Sequence, residues 1–131
     1  MNGTGGRRTL RRLFRTCLEG VDPRKAVARE LSKPRLAGVL GGARRVGVFA
    51  CGKAASAMVQ GVPARFRRNA LVVLPRGYPA GGLSSLEVLF SAHPDPDASS
   101  VRAVRRALAY FADFGPRDVI LCLISGGTSS L

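Results

Sequence analysis

The residues able to do chemistry gather in three short polar segments. The first is Gly52-Lys53, within "GVFACGKAAS" (47–56). The second, "HPDPDASS" (93–100), holds the single histidine of the chain, and the third is "SGGTSSL" (125–131). From Gly47 to Lys53 the spacing fits the phosphate-loop pattern G-x-x-x-x-G-K-[ST], but Ala54 stands where that loop needs a hydroxyl. The four residues between the glycines, Val48, Phe49, Ala50 and Cys51, read as strand and cannot form the phosphate cradle. The match is therefore a coincidence of spacing. What survives is a glycine and a lysine at a strand-to-helix junction. A helix N-terminus attracts anions, and Lys53 adds a full charge; a surface lysine beside a tight turn fits the same residues. In "SGGTSSL", Gly126 and Gly127 permit close backbone approach to a ligand. Ser125, Thr128, Ser129 and Ser130 can donate to phosphate oxygens, or the segment can be a turn and a helix cap. In the middle segment His93 stands at a strand end, Asp95 and Asp97 add carboxylates, and Asp97, Ser99 or Ser100 suit the cap of a following helix.

Four apolar runs must position these segments. They are "RVGVFAC" (45–51), "ALVVLP" (70–75), "LEVLFSA" (86–92) and "DVILCLIS" (118–125). Helical patterns fall between or before them: Leu10, Leu13, Phe14, Cys17 and Leu18 form an i, i+3, i+4, i+7, i+8 stripe of a packed helix that Gly20 ends. Asp22-Pro23 starts a second helix that stops before Pro34, and Gly41-Gly42 reads as a loop. A short helix is expected over 54–62, with Met58 and Val62 on one face. A longer one is expected over 101–113, with Val101, Val104, Leu108 and Phe111 as its apolar face. Continuous apolar strands separated by helices argue for an α/β fold: a Rossmann-like, open, mainly parallel sheet with flanking helices. In such a sheet ligands bind beyond the carboxyl ends of the strands, and all three polar segments lie at such ends. The run at 118–125 is the most apolar and is expected to be central and covered on both faces. It lacks a following helix, which implies that the chain is the front of a longer protein.

The chain of 131 residues has the size of one domain. Its 21 basic and 8 acidic residues give a net charge of +13, mostly from scattered arginines. They are scattered in twos and threes and tryptophan is absent, so nucleic acid is not the expected partner. No apolar run reaches the ~20 residues of a membrane helix. Arg7, Arg8, Arg11, Arg12 and Arg15, with no acid before Glu19, give the charge of a transit segment; the helical stripe favours a packed helix behind a flexible basic tail (1–9). Cys17, Cys51 and Cys122 have no C-x-x-C spacing; Cys51 and Cys122 read as buried free thiols of a cytoplasmic protein. One histidine and three cysteines make a structural zinc site improbable, and no metal ligand is assigned. The absent G-x-G-x-x-G removes the dinucleotide fingerprint.

The segments "ACGKAASAM", "HPDPDASSVRA" and "DVILCLISGGTSSL" resemble, in order and spacing, the N-terminal domain of type II glycerate kinases, the glycerate 2-kinases with a MOFRL-associated domain. "RRLFRTCLEGVDPRKAV" resembles their opening helices, so the likeness runs over 10–131. The resemblance implies transfer of the γ-phosphate of ATP, with Mg²⁺, to D-glycerate. It implies a catalytic Lys53 and phosphate or nucleotide binding by Gly52, Ser125, Gly126, Gly127, Thr128 and Ser129. His93 and Asp97 would bind substrate or serve structure. It further implies a C-terminal domain, absent from this chain, that completes the active site, so the chain alone is expected to be inactive. Thr128 and Ser130 depart from the family's usual Gly and Ala. The alternatives are a non-catalytic α/β module and a basic nucleic-acid-binding protein.

Overall fold

The computed structural model describes residues 3–131. Its frame is four strands: β1 (Val46–Cys51), β2 (Ala70–Pro75), β3 (Glu87–Ser91) and β4 (Val119–Ile124). They lie in the order β3-β2-β1-β4, every neighbour parallel. All four fall on the apolar runs of the sequence. β2 is buried along its whole length, as a strand with elements on both faces must be. On one face Val48, Ala50, Val72 and Leu74 pack against Val27, Leu31, Val59, Val62 and Leu83. On the other, Leu71 and Val73 meet Ala103, Ala107 and Tyr110.

The helices are α1 (Gly3–Gly20), α2 (Pro23–Leu31), α3 (Pro34–Gly42), α4 (Ala55–Gln60), α5 (Ala64–Arg67) and α6 (Ala98–Ala112). Asp22 caps α2 by accepting from the N–H groups of Arg24 and Lys25, with Pro23 pre-set in the first turn. Five sequence expectations change. Pro34 ends one helix and begins the next, so Gly41-Gly42 closes α3 instead of forming a loop. α1 starts at Gly3, inside the tail expected over 1–9; residues 1–2 of that tail lie outside the described residues. Its stripe is uncovered, with Leu10 and Phe14 each 67% exposed. α6 turns Ser99, Ser100, Ala103, Ala107 and Tyr110 inward, leaving Val101, Val104 and Leu108 in solvent. Small side chains let a helix lie close on a sheet, and Tyr110 anchors it: its hydroxyl accepts from Val48 N–H (2.8 Å) and reaches the Asn69 carbonyl (2.8 Å). Finally, β4 is an edge strand with Cys122 and Ile124 exposed, because no described element lies beyond it.

Candidate functional site

The strand order turns at β1. From β1 the chain passes to β2 and β3 on one side, while β4 lies on the other. The carboxyl ends of β1 and β4 therefore flank the switch point, where an open α/β sheet has its ligand crevice. Gly52-Lys53 leaves one of these ends and Ser125–Leu131 leaves the other.

The two loops are stitched together. Ser125 N–H donates to Cys51 O (3.0 Å), and Lys53 N–H donates to Gly126 O (2.9 Å). The Ser125 hydroxyl accepts from Ala54 N–H (3.0 Å). The Thr128 hydroxyl is shared between Ser125 O (2.7 Å) and Cys51 O (3.0 Å). Gly52 has φ +111°, and a Cβ there would lie 2.7 Å from Ser125 O and 2.9 Å from the Thr128 hydroxyl. Only glycine meets both demands without strain. Gly127, at φ +90°, takes the left-handed position of the second loop, so Thr128 needs no positive φ and opens a 3₁₀ turn over Thr128–Ser130. The departure at Thr128 thus tightens the loop without strain. Gly47, by contrast, sits inside β1, where a Cβ would strike the Phe114 ring and the Tyr110 hydroxyl; it serves packing and no phosphate loop.

A Cβ on Gly127 would stand 3.3 Å from Lys53 Cε and 3.3 Å from His93 Cε1. The exposed lysine stem and the half-buried histidine therefore converge on Gly127. His93 Nδ1 meets the Ser130 hydroxyl at 2.5 Å. Among the described residues nothing accepts from the N–H groups of Gly126 and Gly127. Two open amide donors, the neighbouring Lys53 side chain and the Ser129 hydroxyl are groups that can receive an anion, while the Ser130 hydroxyl is engaged with His93 and Gly127 O. Among the sequence-stated site residues, Gly52, Lys53, His93 and Ser125–Ser129 come together here.

Asp97 does not join them. It caps α6 in a reciprocal box with Ser100, accepting from Ser99 N–H (2.6 Å). The Ser99 hydroxyl also donates to it, and Arg76 pairs with it at 2.9 Å. The Ser99 hydrogen bonds and then the Arg76 guanidinium lower its pKa to about 2. Of its two expected roles, the geometry corresponds to the structural one. Arg76, at the end of β2, bonds both Asp97 and Ser99 (2.9 Å) and ties β2 to α6. The sequence signal for it was only a charge directly after a buried strand. Ser130 was also missed as a contact of His93.

Among the described residues no three His, Cys, Asp or Glu side chains form a metal cluster. Burial pushes the Cys51 and Cys122 thiols up, so neither is an activated nucleophile. Cys51 is buried as expected, whereas Cys122 is exposed because β4 is an edge. A hollow of about 550 Å³ among Arg7, Arg8, Arg11, Arg12 and Arg15 lies along α1 alone, away from the sheet ends, and carries none of this chemistry.

Residues 9–131 match a family described as a domain of unknown function, DUF4147. The chain belongs to the DUF4147 family. It is 36% identical over 136 residues to an Agrobacterium vitis protein named, as a candidate only, a hydroxypyruvate reductase, covering 99% of this chain and 28% of that protein. It is 32% identical over 122 residues to the D-glycerate 2-kinase of Thermotoga maritima, covering 91% of this chain and 28% of that enzyme. In three dimensions it superposes on the crystal structure of a Thermotoga maritima glycerate kinase with a TM-score of 0.73 and 31% identity, over 89% of this chain and 27% of that one. The DUF4147 match thus joins the likeness to glycerate kinases read from the three motifs, and the parallel sheet is the one expected. The chain spans about 28% of the length of these curated relatives.

Proposed function

We propose that this chain supplies the phosphoryl-binding half of an ATP-dependent D-glycerate 2-kinase site. The observation that carries the reading is Lys53 lying against the open Gly126-Gly127 loop, where the ends of β1 and β4 meet. Phosphoryl transfer asks mainly for positioning and for neutralisation of charge on the transferred group. The Gly126 and Gly127 N–H groups would hold phosphate oxygens, and the Lys53 ammonium would balance charge as it develops. His93, braced by Ser130, would hold the hydroxy acid. Mg²⁺ usually takes a carboxylate together with phosphate oxygens. Here Asp97 is spent on Ser99 and Arg76, and the Thr128 hydroxyl on two carbonyls. Neither Asp97 nor Thr128 is therefore free to hold Mg²⁺, and no step is assigned to the metal. The cytoplasm is the proposed compartment, on the ground of the free thiols.

Completion of the site falls to the remainder that the longer relatives contain, so the chain alone should show negligible turnover. The direct test replaces the matching segment of the Thermotoga maritima enzyme with this chain and follows transfer from labelled ATP to D-glycerate. Within that chimera Lys53→Ala should lower kcat at least about a hundredfold, as for other preorganised electrostatic groups, with the circular dichroism unchanged. Lys53→Arg should also be poor, because a planar fork replaces a compact charge. A kcat within a factor of about two of the parent chimera for Lys53→Ala would reduce this lysine to a surface charge. The reductase name of one relative finds no support in this chain, which lacks the dinucleotide fingerprint.

A further inference from the structure

A concavity opens beside Lys53. Its walls are the α4 residues Ser56 and Gln60 and the segment after β2, through Tyr78, Pro79 and Gly81; it is an open cleft of about 450 Å³. The shape is braced. Gln60 donates its side-chain N–H to Gly81 O (2.9 Å), and the Tyr78 N–H closes a turn onto Pro75 O (3.1 Å). Gly77 and Gly82, at φ +82° and +75°, let the segment double back over α4. With its amide nitrogen so used, Gln60 keeps Oε1 as a fixed acceptor, and among the described residues nothing donates to it. Tyr78 is 37% exposed, which leaves ring surface accessible at the rim.

We propose that this cleft is a nucleobase subsite, the place where the adenosine moiety of the phosphoryl donor lies. The inference rests on reading the Gly126 loop and Lys53 as the phosphate site. An open cleft of this size has room for a nucleoside-sized group, more than a three-carbon acid requires. Chemistry agrees. Tyr78 offers a π-face for a base, Pro79 an apolar wall, and Gln60 Oε1 an acceptor for an exocyclic amino group. Lys53 lines this cleft and its stem also lies against Gly127, so one lysine side chain borders both the base cleft and the phosphate loop. A nucleotide can then span the two with its phosphates at the switch point.

The test uses the 131-residue chain in solution, with adenosine, inorganic tripolyphosphate and ATP as separate probes and backbone amide NMR as readout. Adenosine should shift the amides of Ser56, Gln60 and Tyr78 and spare Gly126 and Gly127. ATP should bind about tenfold more tightly than tripolyphosphate, which is within the contribution of one base–aromatic stack. Tyr78→Ala should bring ATP down to the affinity of tripolyphosphate without changing tripolyphosphate binding, and Tyr78→Phe should restore it. Unchanged tripolyphosphate binding also shows that the variant is folded. Equal affinity for ATP and tripolyphosphate, with no adenosine shifts around the cleft, would overturn the subsite and leave the phosphate reading standing. Tripolyphosphate that shifts no amide of the Gly126 loop would instead overturn the phosphate reading, and with it a subsite defined by that reading.

Discussion

Gly52 carries more of the local geometry than any charged group. It must hold φ +111°, and it must leave room for the carbonyl of Ser125 and the hydroxyl of Thr128. Gly52→Ala should therefore destabilise the chain by about 1–3 kcal/mol from the backbone conformation alone, read as a lower urea midpoint. It should also loosen the Lys53–Gly126 contact, so that amide exchange at Lys53 quickens. An unchanged midpoint would mean that the two loops are not locked together. Thr128 shows why residue type alone misleads. As a β-branched residue it is costly at positive φ, yet Gly127 takes that conformation, and the threonine hydroxyl becomes a cross-link to Cys51 and Ser125.

At the scale of elements, α6 can be tested at its cap and on its two faces. The folded-state pKa of Asp97, about 2, lies below the ordinary carboxylate value near 3.9. A depressed carboxylate adds stability above its unfolded pKa, and that contribution is lost as pH falls through the folded value. Asn is as good an N-cap as Asp. Asp97→Asn should therefore keep the cap but lose the charge-dependent part: less stable than the parent at neutral pH, with the difference closing between about pH 4 and about pH 2. Urea midpoints across that range check the sign, and a gap that widens on acidification would contradict it. On the faces, Leu108→Ser or Val104→Ser should move stability by no more than about 0.5 kcal/mol, since both are in solvent. Ala103→Leu, on the sheet side, should cost about 1–3 kcal/mol through overpacking. Equal costs on the two faces would reverse the assignment of the buried side.

For the whole molecule the questions are charge and uncovered apolar surface. A net +13 attracts any polyanion. The arginines of α1 line one exposed helix with a single aromatic, Phe14, among them. Duplex DNA binding should be weak and vanish by physiological salt in an anisotropy titration; nanomolar binding at that salt would promote the nucleic-acid reading. No helix among the described residues is long and apolar enough to cross a membrane. The uncovered residues of α1, α6 and β4 belong to a chain that spans about 28% of the length of its curated relatives.

Continuous apolar runs marked all four strands; burial on both faces explains the lack of polar alternation in the central β1 and β2, whereas the edge strands β3 and β4 keep exposed positions. The same reading placed the three polar segments at strand ends, and their order and spacing were sufficient for the likeness to glycerate kinases. Three things were decided only in three dimensions. Which face of α6 is buried depended on how closely a helix can lie on the sheet, and the apolar count along the helix pointed the other way: Val101, Val104 and Leu108 are outside while Ala103 and Ala107 are inside. That Asp97 serves α6 and Arg76, whereas His93 turns to Ser130, followed from side-chain reach across elements. The meeting of Lys53 with Gly127 depended on β4 pairing with β1, residue Cys51 beside Ile124. A one-dimensional pattern specifies which residues want burial; strand order, a long-range choice, specifies which loop ends become neighbours.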